Sequence, residues 1–160
     1  MLQKNKTPSN SILNASSAIF FLFILLSACA FKGKTQTSTS CNQVDEIRWG
    51  TSFGLCRGYC YTEHIYHTDS VMTIRKGWDK ENYPEQITSE TLDVTRWNTL
   101  CQAIALDSFF QLPERIGCPD CADGGSEWIE LRSGNKKHKV TFEFGSHPDG
   151  THRLLEELRK

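Results

Sequence analysis

This chain has no apolar run of the roughly 20 residues that a membrane-spanning helix needs. Its longest, Ala18 to Leu26 (AIFFLFILL), covers less than half of that length. Basic surplus is also missing: 18 Lys and Arg stand against 19 Asp and Glu, a net charge of −1. Nucleic-acid binders meet phosphate with an excess of cations, so a nucleic-acid partner is disfavoured. The short clusters Arg75-Lys76 and Lys136-Lys137 read as charges at hairpin ends. There is no glycine-rich phosphate cradle, no nucleophile elbow among the serines and no zincin spacing among the histidines. No catalytic residue, metal ligand or cofactor is therefore expected, and no repeat of fixed period is found.

The N-terminus is where the order of residues is most specific. Lys4 and Lys6 lie in a polar leader, the apolar run follows, and Leu26-Ser27-Ala28-Cys29 closes the segment. A positive region, an apolar core of about 7–15 residues and then small residues is the layout of a signal peptide. The last four residues resemble the lipobox of bacterial lipoproteins. That resemblance implies cleavage after residue 28, lipidation of Cys29 through a thioether, and attachment of the domain to a membrane. Several acyl chains make such an anchor stable, at about 0.8 kcal/mol per buried methylene. Ala30 is not the aspartate associated with inner-membrane retention, so the outer membrane is favoured. Loss of Lys4 and Lys6 leaves 16 basic against 19 acidic residues, a net charge of −3. Residues 29–40 are the lipidated cysteine and a small, polar, unpatterned stretch that reads as a flexible tether.

Residues 41–160 are expected to form one α+β domain. Asp45 to Trp49 is a candidate first strand. Tyr59 to His67 alternates, with Cys60, Thr62, His64 and Tyr66 on one face, and it returns through Thr68-Asp69-Ser70 into Val71–Arg75. Gly77 to Ser89 reads as a loop with a short extended piece. Asp93 to Asp107 carries Val94, Trp97, Leu100, Cys101, Ile104 and Ala105 at helical spacing, with Asp93 as the cap. Ser126–Arg132 and Lys139–Phe144 form a second hairpin, with Ile129, Leu131, Val140, Phe142 and Phe144 facing inward. Thr151 to Lys160 is a terminal helix. The expected order is ββ-α-ββ-α, a mainly antiparallel sheet with helices on one face.

Besides Cys29 there are six cysteines: Cys41, Cys56, Cys60, Cys101, Cys118 and Cys121. An even number in an exported domain points to disulfides, because the envelope is oxidising. Local bridges 56–60 and 118–121 are the first choice, and crossed bridges between the two loops the second. Cys101 is either a buried free thiol or the partner of Cys41. Two alternatives use the same sulfurs. Four cysteines spaced C-x3-C and C-x2-C match a structural zinc site. Cys118-x-x-Cys121 has redox spacing, but an activated thiolate sits at a helix N-terminus. Here Asp-Gly-Gly follows instead, and Asp120 and Asp123 work against a thiolate.

Other residues offer less. His64 and His67 fall on opposite faces of a strand and cannot share a metal. Asp120, Asp123 and Glu127 only loosely resemble a calcium loop. Asp69-Ser70-Val71 resembles a three-residue O-glycosylation signal. Trp49, Trp78, Trp97 and Trp128 read as core or near-core residues, with Trp128 the one expected to be exposed as a contact.

Three segments together, F-G-x-C-x-G-Y-C, a helix ending in F-F-x-L-P, and G-C-P-D-C-A-D-G-G-x-E-W-I-E, resemble a family of small Gram-negative envelope lipoproteins over about residues 50–160. The resemblance implies a single α+β domain with paired cysteines and no site residues. The expected function is a non-catalytic module that binds a protein or carbohydrate partner, or plays a structural role, while held at the membrane through Cys29. The alternatives are a thiol-redox or other enzyme using Cys118 and Cys121, or a structural zinc domain.

Overall fold

The computed structural model describes residues 41–160; the leader, Cys29 and the tether lie outside the described residues. A 3-10 turn (Cys41–Gln43) leads into β1 (Glu46–Ser52), β2 (Tyr61–Tyr66), β3 (Ser70–Lys76) and β4 (Gln86–Thr91). Helices α1 (Val94–Gln102) and α2 (Leu106–Phe109) follow, then β5 (Ser126–Ser133), β6 (Lys136–Glu143) and α3 (His152–Leu158). The fold is α+β, with one antiparallel six-stranded sheet in the order β4-β3-β2-β1-β5-β6.

The register sets what each face carries. Ile47 lies between Tyr66 and Leu131, Trp49 between His64 and Ile129. Ile129 in turn faces Val140, and Glu127 faces Phe142. These residues share a face because strand side chains alternate. Most of them join Trp97, Leu100, Ile104, Phe109, Leu154, Leu155 and Leu158 in the core, so the helices cover this face. The terminal helix α3 has seven residues, too few to persist alone in water. Its three buried leucines, at about 1.5–3 kcal/mol each, hold it in place.

Five expectations are corrected. The order is four strands, two helices, two strands and a helix. The extra strand, β4, begins inside the stretch expected as a loop with a short extended piece; its only apolar residue is Ile87 and all six of its positions are exposed. It forms by backbone pairing with β3 rather than by burial. The helix expected to Asp107 ends at Gln102: Ala103 and Ile104 donate i→i−3 bonds, and Ala105 leaves the helical region (φ −97°, ψ 79°). This kink turns both Ile104 and Phe109 into the core. Val94 is exposed, although Asp93 caps the helix as expected, accepting from the Thr95 amide at 2.7 Å. Phe144 lies past the end of β6, is half exposed, and packs edge-on against Phe53 at 4.9 Å.

Trp128 is a fifth correction, since only 4% of it is exposed. It lies on the face away from the helices, across from Gly50. A Cβ on Gly50 would stand 2.3 Å from the Trp128 ring, so glycine is required there. The indole is flanked by the Tyr61 ring at 5.2 Å and capped by Lys139 Nζ at 4.5 Å. Beside it, Arg48 gathers Glu46, Glu63 and Glu130 into one ion cluster.

Candidate functional site

One end of the sheet collects the two loops that carry the paired cysteines. Ser52 pairs with Tyr61 and with Ser126, Tyr61 with Lys76, and Ser126 with Glu143. The segments that leave these positions therefore lie side by side: 53–60, 77–85, 117–125 and 144–145.

Both local disulfides are present at this rim, Cys56–Cys60 and Cys118–Cys121. The first closes a loop that returns onto its own start, where the Phe53 amide donates to the Cys60 carbonyl at 3.0 Å. The second sits in a tight turn in which Asp120, Ala122 and Asp123 all have positive φ. Its Cys118 amide donates to Glu143 Oε1 at 2.9 Å, and Arg115 Nη2 reaches the Pro119 carbonyl at 3.3 Å. Cys121 opens only a three-residue 3-10 turn, so no helix dipole acts on its sulfur. The four motif sulfurs are spent in two bridges. Among the described residues, no group of three or more His, Cys, Asp or Glu side chains could hold a metal.

The two loops are joined. Phe53 lies across Gly125, where a Cβ would approach its ring to 2.4 Å, and the Gly54 amide donates to Asp120 Oδ1. Phe53 is also tied to the third loop, because Trp78 Nε1 donates to its carbonyl at 2.9 Å. Gly77 permits that approach: a Cβ there would stand 2.6 Å from the Gly58 carbonyl oxygen. The loop closes through Gly77 N to Tyr83 O and Tyr83 N to Asp79 O.

Between the first and third loops runs an open groove of about 630 Å³, lined by Cys56, Arg57, Gly58, Trp78, Asp79, Asn82 and Tyr83. Trp78 is 53% exposed there, although its indole N–H is fixed. Asp79 accepts from the Glu81 and Asn82 amides and from Asn82 Nδ2. The Asn82 side chain, then its backbone amide, holds the Asp79 carboxyl below the ordinary range, so it stays anionic. A carboxylate has about four acceptor positions, so one remains for a ligand. Arg57 is exposed and has no ion-pair or hydrogen-bond partner among the described residues. An aromatic face, an acceptor, an amide and a guanidinium unpaired among the described residues thus line one groove. Trp78, expected as a core or near-core residue, is exposed instead, because it stands in an unpatterned polar stretch that no helix covers.

The remaining sequence candidates have structural partners. His64 and His67 do lie on opposite faces. His64 stacks on Trp49 at 5.2 Å and meets Thr73 Oγ1 at 2.9 Å. Burial, and then the Arg75 charge, lower its pKa. His67 stands 3.5 Å from Glu46. Glu127, fully buried, is held by Trp49 Nε1 at 2.7 Å and by Arg159 at 2.6 and 3.0 Å. Nothing near Glu127 in the chain marks Arg159 as its partner, and sequence reasoning missed it. Ser70 donates to Asp69 at the start of β3. Cys41 and Cys101 are not bridged. Among the described residues, no helix is long and apolar enough to cross a membrane.

No family model matches the chain, and no curated protein matches it.

Proposed function

We propose that this chain is an envelope lipoprotein, anchored through Cys29 and favouring the outer membrane, whose domain 41–160 is a non-catalytic saccharide-binding module. The anchor rests on the leader, Leu26-Ser27-Ala28-Cys29 and the tether of residues 30–40, and on the likeness to small Gram-negative envelope lipoproteins. The binding role rests on one observation: Trp78 is exposed in the groove yet immobilised through its indole N–H. A large apolar ring held half out to solvent forgoes part of the about 1.5–3 kcal/mol that full burial of such a side chain brings, and a ligand recovers it. The C–H face of a sugar ring suits a fixed indole face. Its hydroxyls suit Asp79 and Asn82, and Arg57 favours sugars that carry a carboxylate.

The domain can be tested on an array of neutral and acidic glycans, followed by calorimetric titration of the ligands it retains. Trp78→Ala is expected to weaken binding by about tenfold or more, roughly 1.4 kcal/mol. Arg57→Ala is expected to weaken acidic glycans selectively. Absence of binding to any glycan, or binding untouched by Trp78→Ala, overturns the proposal.

A further inference from the structure

The six cysteines of the domain divide into two bridges at the rim and two free thiols, Cys41 and Cys101. Cys41 starts the described chain in a 3-10 turn, and Cys101 lies in the last turn of α1. Sixty residues separate them in sequence, but they are neighbours in space. The Cys41 thiol lies 3.8 Å from the carbonyl oxygen of Asn98, which is three residues before Cys101 on the same helix. Cys41 packs against the core cluster that contains Cys101, beside the turn of α1 on which Cys101 stands. Cys101 is completely buried, whereas Cys41 is partly exposed.

We propose that Cys41 and Cys101 are the site of a third disulfide, which ties the start of the domain to its main helix. The inference rests on the reading of residues 1–40 as an export leader and tether. A dithiol needs an oxidant, and a disulfide compound such as glutathione disulfide supplies it. Cys41, the accessible thiol, loses its proton and attacks the oxidant, releasing one thiol and forming a mixed disulfide. Cys101 then loses its proton and displaces the second thiol. One S–S bond is broken and one made: the protein gives up two electrons and two protons, and the oxidant becomes two thiols. Burial, followed by the neighbouring Cys41 thiol, disfavours the Cys101 thiolate, so Cys41 is the first to react.

The bridge has a mechanical consequence. The tether enters the domain at Cys41. Without a covalent link, tension from the membrane would act on a three-residue turn and then on the first backbone bond of β1. With it, tension passes into α1, whose Trp97, Leu100 and Cys101 are buried in the core.

The test is peptide mapping of the full chain, recovered from a bacterial envelope without reductant and alkylated in denaturant. A linked peptide containing Cys41 and Cys101 supports the proposal. Alkylation of these two alone, with 56–60 and 118–121 still bridged, overturns it and leaves the export reading intact. If all six are alkylated, the export reading fails, and a glutathione redox series on the purified chain decides the pairing. A 41–101 link formed there supports the proposal, and its absence overturns it. Cys41→Ser should fold, and should melt several degrees below the oxidised wild type; equal melting points also count against the bridge.

Discussion

The amide of Gly54 donates to the carboxylate of Asp120 at 3.3 Å, across 66 residues of sequence, and so joins the two disulfide-bearing loops. A side chain on Gly54 would place its Cβ 2.8 Å from Asp120 Oδ2, so the Asp120 carboxylate would have to shift. Replacing Cys118 and Cys121 by serine opens one of these loops and loosens the other through Asp120. A loop this short gives a chain-entropy loss of about 2 kcal/mol. The expected result in urea is a midpoint lowered accordingly, with the Gly54 amide less protected from hydrogen exchange. Protection unchanged at Gly54 would show that the loops are independent.

The same loop holds Ala122 at φ 52°. Left-handed backbone costs an ordinary residue about 1–2 kcal/mol, and glycine's extra freedom in the unfolded chain returns part of that. Ala122→Gly is therefore expected to stabilise the domain by about 0.5–1 kcal/mol in denaturant titration.

Gly50→Ala should do the opposite. Its Cβ would stand 2.3 Å from the Trp128 ring and 2.7 Å from the Thr62 carbonyl oxygen, in the middle of β1. Overpacking of this kind costs about 2–3 kcal/mol. Near-ultraviolet circular dichroism should also change, since Trp128 must move.

Glu127 and Arg159 lock the terminal helix to β5. Arg159→Ala leaves a fully buried carboxylate without its cation. Such a loss costs about 3–5 kcal/mol. A thermal melt is the check, and Arg159→Ala combined with Glu127→Gln should recover part of the loss.

Two groups predict how stability depends on pH. His64 has a folded pKa below its ordinary 6.5, through burial and then Arg75. Its contribution is complete above pH 6.5 and is lost as pH falls through the folded value. For Glu46, burial raises the pKa, but the bond to Arg48 and the charges of Arg48, Arg132 and His67 together bring it below 4.5. Its contribution is lost at still lower pH. The melting temperature should therefore be level from pH 6.5 to about 8 and fall in two stages on acidification, the first absent in His64→Gln.

What the sequence made legible follows physical lines. The alternation in β2, β5 and β6 and the helical spacing of Trp97, Leu100 and Cys101 are burial patterns, and burial is what composition records. Both local bridges could be read from spacing because four-residue and three-residue separations leave few other partners. β4 showed only as a short extended piece because an exposed edge strand needs no apolar alternation. Trp128 and Trp78 were assigned in reverse, since the first is covered by long side chains of neighbouring strands and the second is fixed by one carbonyl on another loop. Neither relationship is local. The Glu127–Arg159 pair is hidden for the same reason, whereas a pairing with Cys41 is one of the two roles the sequence leaves open to Cys101.

The most direct test of the groove is a nitrogen-15 correlation spectrum of the domain, recorded while a glycan retained on the array is added. The account predicts shifts concentrated at the Trp78 indole N–H, the Asn82 side-chain amide and the Gly58 backbone amide, all lost in Trp78→Ala. Shifts centred on Arg48 and Trp128 of the uncovered sheet face, or none at the groove, would contradict it.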